Sequence, residues 1–413
     1  MSWRNVDIAS LLLTLESGSR PKGGVSTDRG DIPSLGGENV LATGGVTLDN
    51  VNLVSTEFYS KMTKGRLQDG DVLINKDGAQ TGKVGLYHSP DGAPACINEH
   101  LFLLRGMPER VTQEYLYYLL LSDIGQKQIR AETSGSAQPG LKSGFVKKVV
   151  TSVPVDIREQ SKIAEILTTV DRAIEQTEAL IAKQQRIKTG LMHDLLTRGI
   201  DEHGNLRSES THKFKDSPLG RIPVEWDVTT VDQIASITTG DKDTQDADPN
   251  AEYPFFVRSQ TVERISSYSF DGEAVLTAGD GVGTGKVFHY INGRFDFHQR
   301  VYCMHSFAED MLGYYFFCFF QAHFMERVAQ FSAKGSVDSV RRHMITKMFV
   351  PKPGRGEQEW IVDILRSSEK TIRDHTAALE KLRHIKTGLM QDLLTGNRRV
   401  TALLKPSPEE GDS

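Results

Sequence analysis

Residues 187–197 read IKTGLMHDLLT and residues 385–395 read IKTGLMQDLLT, differing only at His193 and Gln391. A string of this length does not return by chance, so the chain carries a long-period internal duplication. In the register set by that match, the copies extend upstream to Glu159-Gln160 and Glu357-Gln358, and no proline interrupts either one. Ile163, Leu167, Val170, Ile174, Thr177, Ile181, Gln184 and Leu191 keep an alternating four-three spacing. Ile361, Leu365, Ser368, Ile372, His375, Leu379, Leu382 and Leu389 do the same. Such a narrow stripe, with charge on the remaining faces, is the pattern of a helix that packs along a partner helix. Each helix should run about 38 residues, roughly 57 Å. The simplest partner of one copy is the other, paired antiparallel as a coiled coil with a pseudo-twofold internal repeat.

The rest of the chain falls into place around these helices. Residues 1–153 form a first globular segment with glycine punctuation such as Gly36-Gly37 and Gly44-Gly45. Asp69-Gly70-Asp71 reads as a turn feeding a buried strand, Val72-Leu73-Ile74. A helix is expected from Tyr115 to Arg130, its apolar face on Tyr115, Leu116, Leu119, Leu120 and Ile124. Pro154 precedes the first long helix (154–198), where Asp156 and Glu159 read as a capping box. Residues 199–223 are a polar connector without periodicity. Residues 224–350 form a second globular segment, 351–396 the second long helix, and 397–413 a tail that is Pro/Glu/Ser-rich from Lys405 and expected to be disordered.

The globular segments are themselves related. DGAQTGKV (77–84) matches DGVGTGKV (280–287) at six of eight positions. The helix from Tyr115 has a counterpart from Tyr314, and the small-residue loop GSAQ (135–138) has a counterpart GSVD (335–338). Elsewhere they diverge: Asn98-Glu99-His100 stands against His298-Gln299-Arg300. The fold class is therefore α+β, two similar globular domains separated by two long antiparallel helices. A shared frame with divergent loops suits two modules that read different ligands.

Composition is that of an ordinary globular protein, with 38% hydrophobic and 25% charged residues. Cys96, Cys303 and Cys318 are widely spaced and form no CxxC, which points to a reducing cytoplasm and to neither disulfides nor a zinc site. No signal region follows Met1, and the longest aromatic run, Tyr314–Phe320, is too short to span a bilayer. The net charge of −5 means that any nucleic-acid contact has to come from local patches.

Catalytic patterns are missing from the sequence. The glycine loop 279–286 fails the Walker pattern, because Asp280 occupies an early position and Val287 follows Lys286. No His-Glu-x-x-His, Gly-x-Ser-x-Gly or amino-methylating tetrapeptide occurs. The chain reads as non-catalytic and as needing no cofactor or metal. Basic residues instead cluster at matching places in the two segments: Lys142, Lys147 and Lys148 after the first small-residue loop, and Lys334, Arg341, Arg342 and Lys347 around the second. Beside them lie Ser, Gln or Asp able to reach base edges.

The whole pattern resembles the DNA-specificity subunits of type I restriction–modification systems. What carries the resemblance is the Glu-Gln-opened helix ending in IKTGLM-x-DLLT at 159–197 and 357–395. The connector GID…G from Gly199, SPLGRIP (217–223) with Trp226, and the turn DGDVLI (69–74) add to it. The resemblance implies that each globular segment is a target-recognition domain reading one half of a split double-stranded DNA site. It implies that the helices space the readers and dock two adenine-N6 methyltransferase subunits, with two ATP-dependent restriction subunits in the full complex. The DNA-contacting candidates are Lys76, Lys83, Ser136, Gln138 and Lys142 in the first domain. In the second they are Arg258, Gln260, Thr284, Lys286, Arg300, Lys334, Ser336, Arg341 and Arg342. Partner-docking candidates are Ile166, Leu180, Ile187, Gly190, Leu195, Ile364, Ile385 and Gly388, apolar or small positions beside the helix seam. Asp338 stands where the first loop has Gln138, a departure that argues against one shared base contact. The rival reading is a scaffold that spaces two sugar- or peptide-binding modules and never touches DNA.

Overall fold

A computed structural model describes residues 2–21, 30–134, 139–281, 283–331 and 339–404. The loops 135–138 and 332–338 and the tail from Lys405, all singled out by the sequence, lie outside these residues. The chain divides into two compact units, Met1–Glu178 with Ala377–Ser413, and Ala179–Thr376. The division runs through both long helices, Ile157–Thr197 and Arg355–Leu394, so each unit owns one half of each.

The first unit is built on a four-stranded antiparallel sheet in the order Leu12–Ser17, Leu101–Gly106, Val72–Asn75, Val84–Leu86. Val72, Leu73 and Ile74 are fully buried, as their place after the Asp69-Gly70-Asp71 turn predicts. A smaller sheet sets Ile32–Leu35 between Asn52–Val54 and Cys96–Ile97, parallel to the latter. Trp3–Asp7 pairs antiparallel with Val150–Pro154, bringing the beginning of the globular segment beside its end. The expected single helix from Tyr115 to Arg130 is two, Gln113–Leu121 and Asp123–Ala131, broken at Ser122. The Ser122 side chain accepts from Gly125 N–H and so starts a new helix, and the redirected second helix buries Ile129 while Ile124 faces solvent.

The second unit repeats this plan, with two strands lengthened: Phe270–Ala278 and Phe288–Phe297 stand where the first has Val72–Asn75 and Val84–Leu86. Its six-stranded sheet runs Ser236–Thr239, Val301–His305, Phe270–Ala278, Phe288–Phe297, Tyr253–Phe256, Glu263–Ile265. Phe288–Phe297 is a single strand, and its end runs parallel to Tyr253–Phe256. The corresponding stretch of the first unit is split into Val84–Leu86 and Cys96–Ile97. Pro90, which has no N–H to donate, and the positive φ of Asp91 and Gly92 lie in the gap. The connector is also more ordered than its composition suggests, because Phe214–Ser217 and Gly220–Pro223 form a hairpin. Gly220, at φ 87°, makes that turn possible.

Within each unit, half of one long helix packs antiparallel against half of the other, and the repeated motifs supply the contacts. In the first unit Ile163 and Leu167, both fully buried, share a core with Leu393 and Leu394. In the second, Ile361 and Leu365 share one with Leu195 and Leu196. Burying one such side chain contributes roughly 1.5–3 kcal/mol. The lysines of the two IKTGLM copies have equivalent partners. Lys386 pairs with Asp171 at 2.7 Å, and Lys188 with Glu369 at 2.8 Å. Each carboxylate also accepts from a tyrosine of the adjoining globular segment, Tyr118 on Asp171 (2.7 Å) and Tyr314 on Glu369 (2.6 Å).

The Glu-Gln pairs that open the long helices tie those segments down. Gln160 accepts from Thr112 N–H and donates to Arg110 and Pro154 carbonyls. Gln358 accepts from Leu312 N–H and donates to Asp310 and Pro353 carbonyls. Thr112 and Leu312 each precede a domain helix, so one glutamine fixes the same junction twice. Half of the expected capping box at Asp156 and Glu159 forms: Asp156 Oδ1 accepts from Arg158 N–H at 2.8 Å, while the Glu159 carboxylate is turned to another partner. Glu159 is fully buried and takes a two-pronged pair from Arg399 at 2.6 and 2.7 Å, a partner invisible to local pattern. Its counterpart Glu357 is paired with Arg207 and accepts from Trp226 Nε1 and Ile200 N–H.

Candidate nucleic-acid interface

Each unit carries a rim where three separate segments are stitched together by backbone hydrogen bonds. In the first unit, Lys76 N–H donates to the His100 carbonyl (3.0 Å) and the Lys76 carbonyl accepts from Leu141 N–H (2.6 Å). In the second, Gly279 N–H donates to the Arg300 carbonyl (2.7 Å) and the Gly279 carbonyl accepts from Val340 N–H (2.7 Å). Thus the DGxxTGKV loops, the 98–100 and 298–300 turns, and the segments after the small-residue loops meet in the same pattern in both units. The divergent triplets turn out to be one turn built twice. The Asn98 side chain accepts from His100 N–H at 2.8 Å, and the His298 Nδ1 accepts from Arg300 N–H at 2.9 Å. Asn98 and His298 are both buried, so these two residues shape the turn.

A close backbone crossing holds each rim in place. An added Cβ at Gly18 would lie 1.8 Å from the Ile97 carbonyl oxygen, and one at Gly240 would lie 1.8 Å from that of Phe297. No side chain fits there. These two glycines were not singled out from the sequence, and only the contact identifies them.

The proposed contact residues fare unequally. In the second unit, Arg258 and Arg300 reach the same carboxylate, Asp280, at 3.0 and 3.4 Å. Lys286, Gln260 and Arg341 are exposed on the segments of the same rim. Arg342 is exposed too, but it donates from Nη2 to the Ile237 carbonyl at 2.5 Å, a contact that supports the edge strand. Thr284 is a correction. It is 5% exposed and its hydroxyl donates to the Gly281 carbonyl, so it closes the loop instead of facing a ligand.

In the first unit, Lys142 is exposed and Lys83 donates to Gln80 Oε1 at 2.6 Å. Lys76 donates to Ser17 Oγ at 3.1 Å and lies over the Phe102 ring, half withdrawn from solvent. Asp77, equivalent to Asp280, holds His100 Nδ1 at 2.7 Å. Ser136, Gln138, Lys334 and Ser336 lie outside the described residues.

The docking candidates also divide. Leu180, Ile187 and Ile385 are exposed on the long helices. Ile166 and Ile364 are half-buried against the cores of their own units. Leu195 is a correction: it is 3% exposed and belongs to the core of the second unit. At Gly190 and Gly388 an added Cβ would meet nothing within 4 Å, so among the described residues nothing packs closely against either glycine and the space beside each is open to a partner. Trp360, 46% exposed where the first copy has Lys162, was not picked out from the sequence. Among the described residues, no cluster of three or more His, Cys, Asp or Glu could hold a metal ion. None of the described helices is long and apolar enough to cross a membrane.

The duplicated rim on a duplicated frame has a match among known families. The profile described as Type I restriction modification DNA specificity domain matches residues 2–184 and again residues 223–384. The chain belongs to that family. Each match takes in one globular segment and most of the long helix after it. The family description is of DNA specificity, a recognition role and not a catalytic one. Among its curated relatives is the type I restriction enzyme EcoDI specificity subunit of Escherichia coli, 27% identical over 176 residues, or 43% of this chain and 38% of that one. Another is the putative type I restriction enzyme MjaX specificity subunit of Methanocaldococcus jannaschii, 31% identical over 173 residues, 40% of this chain and 38% of that one. Each match thus spans less than two thirds of the relative's length. The fold matches the S subunit of the type I restriction-modification system of M. genitalium, with a TM-score of 0.63 at 16% identity over 95% of this chain and 96% of that one. A chain from a study of type I R-M complex assembly and conformational transition gives 0.57 at 15% identity, over 96% and 98%.

Proposed function

We propose that this specificity-family chain reads a split double-stranded DNA site, each rim reading one half. The observation that carries this is the repeated rim: one backbone arrangement, built twice, with different side chains on it. A common frame sets where a base-reading group stands, and the exchanged side chains set which base it prefers. Two long helices, each with one half in either unit, suit a spacer between two readers.

The same helices dock two adenine-N6 methyltransferase subunits, one for each copy of the repeat, and two ATP-dependent restriction subunits join in the full complex. Exposed Leu180, Ile187 and Ile385 support this, since apolar residues standing out from a charged coil normally mark a protein interface. Partners that bring phosphate contacts of their own make the chain's net charge of −5 compatible with DNA binding. The chain contributes recognition without catalysis and works in the cytoplasm, where its three buried thiols stay reduced.

The test is to map methylated adenines in host DNA with and without the gene. Loss of methylation at one bipartite motif is expected, and an unchanged map overturns the reading. Native mass spectrometry of the co-expressed complex should show two methyltransferase subunits per chain. Binding to DNA should weaken with salt along a straight line of log affinity against log concentration. A scaffold for sugars or peptides gives no such slope.

A further inference from the structure

We infer that Asp280 is a positioning residue for base reading, and that Arg258 and Arg300, which it holds, make the half-site of the second unit one that contains guanine. The inference rests on the DNA-reading function proposed above. The three residues come from three segments: the end of strand Tyr253–Phe256, the start of the 280–287 loop and the 298–300 turn. Each carboxylate oxygen takes one guanidinium, Oδ1 from Arg258 Nη1 (3.0 Å) and Oδ2 from Arg300 Nη1 (3.4 Å). Asp280 is the withdrawn member, 23% exposed, against 44% and 65% for the arginines. Among the described residues, each guanidinium meets the carboxylate through Nη1 and leaves Nε and Nη2 for an outside partner, while Asp280 tethers both from behind.

Charge decides between the two uses such arginines could have. A rim built only to grip phosphate gains attraction from each cation and loses it with every carboxylate. Asp280 cancels one of the two positive charges, which is counterproductive for phosphate binding. It does restrict the side-chain freedom of two long residues, and that freedom is what a directional contact has to give up. A planar fork with adjacent free donors matches the O6 and N7 acceptors of guanine in the major groove. The first unit supports the division of labour. Asp77 occupies the equivalent place but holds His100 Nδ1 at 2.7 Å, a single ring in place of two forks. The carboxylate is common to both rims and the donor is exchanged, as expected if the carboxylate positions and the donor reads.

The test uses the full chain, recovered from its host with bound partners, to select duplexes from a random-sequence library. The wild type should select a bipartite motif with guanine in one half. Arg258→Ala or Arg300→Ala should lower the preference for one guanine by roughly ten- to a hundred-fold and leave the other half unchanged. Arg300→Lys should not restore it, since a point charge lacks the fork. Asp280→Asn should blur the same guanine while binding to non-specific DNA at low salt stays level or rises, a readout that a merely structural role would not move. Because both arginines are solvent-facing, their variants keep the fold. Retained guanine preference in both arginine variants, or an equal weakening at every position, overturns the inference and leaves the split-site reading standing. A wild-type chain that selects no motif overturns both.

Discussion

Glu357 and Gln358 show how much one residue pair can settle. The Glu357 carboxylate lies among Arg207, Trp226 and the Ile200 N–H, with little solvent on either charge: 13% exposure for Glu357 and 9% for Arg207. Removing one partner of such a pair strands the other in a low-dielectric site. Glu357→Ala should therefore destabilise the protein by about 3–5 kcal/mol. Urea unfolding of the purified chain measures it, and a loss under 1 kcal/mol would show that water replaces the carboxylate. Gly190 gives the opposite expectation. The space beside it is open, so nothing among the described residues explains a helix-interior glycine that costs about 0.5–1 kcal/mol relative to alanine. Gly190→Ala should stabilise the isolated chain by about that amount, whereas Gly190→Leu should weaken co-purification with the methyltransferase. If the leucine variant assembles normally, Gly190 is not a docking position.

At the scale of elements, the long helices are joined in each unit by a lysine–carboxylate–tyrosine set, and the set in the second unit responds to pH. Burial works to raise the Glu369 carboxyl, but hydrogen bonds from Lys188 and Tyr314 outweigh it and hold the group below the usual glutamate range. A folded-state value below the unfolded one means that the contribution is complete at neutral pH. It fades only as the pH falls through the lowered folded value. Hydrogen bonds to a charged group are worth about 1.5–3 kcal/mol. Glu369→Gln should be less stable than wild type by about that much at pH 7, and the gap should close below about pH 4. Denaturation midpoints of both proteins across pH 3–8 test this. A gap that stays constant through acid would mean that the packing of Lys188 and Tyr314, and not the charge, matters.

For the whole molecule, the duplicated rims predict two independent readers. Lys142→Ala should relax one half of the recognised site, and Arg341→Ala the other, each by about 1–3 kcal/mol if a base contact is lost. Methylated-adenine maps of cells carrying either variant would show which half has changed. One substitution that relaxes both halves would mean that these segments hold the frame and do not read bases.

The sequence by itself determined the duplication, the long helices and the places where the loops would matter. These are written in local periodicity and in repeats, which survive without knowledge of the fold. The shared TGK loops and the 98–100 and 298–300 triplets pointed at the rims before any coordinate did. Tertiary structure alone decided what those residues face. Arg258, Asp280 and Arg300 meet only because three strand ends converge, and no spacing in the chain announces it. Leu195 reads as a surface position on a helical wheel but turns inward, because a globular segment covers that side of the helix. The same holds for Glu159, which looks like a cap in its own helix and serves as the anchor for Arg399, 240 residues away. Local pattern fixes which face of an element is apolar, but it cannot say which remote group arrives to cover it, because that depends on how the chain closes.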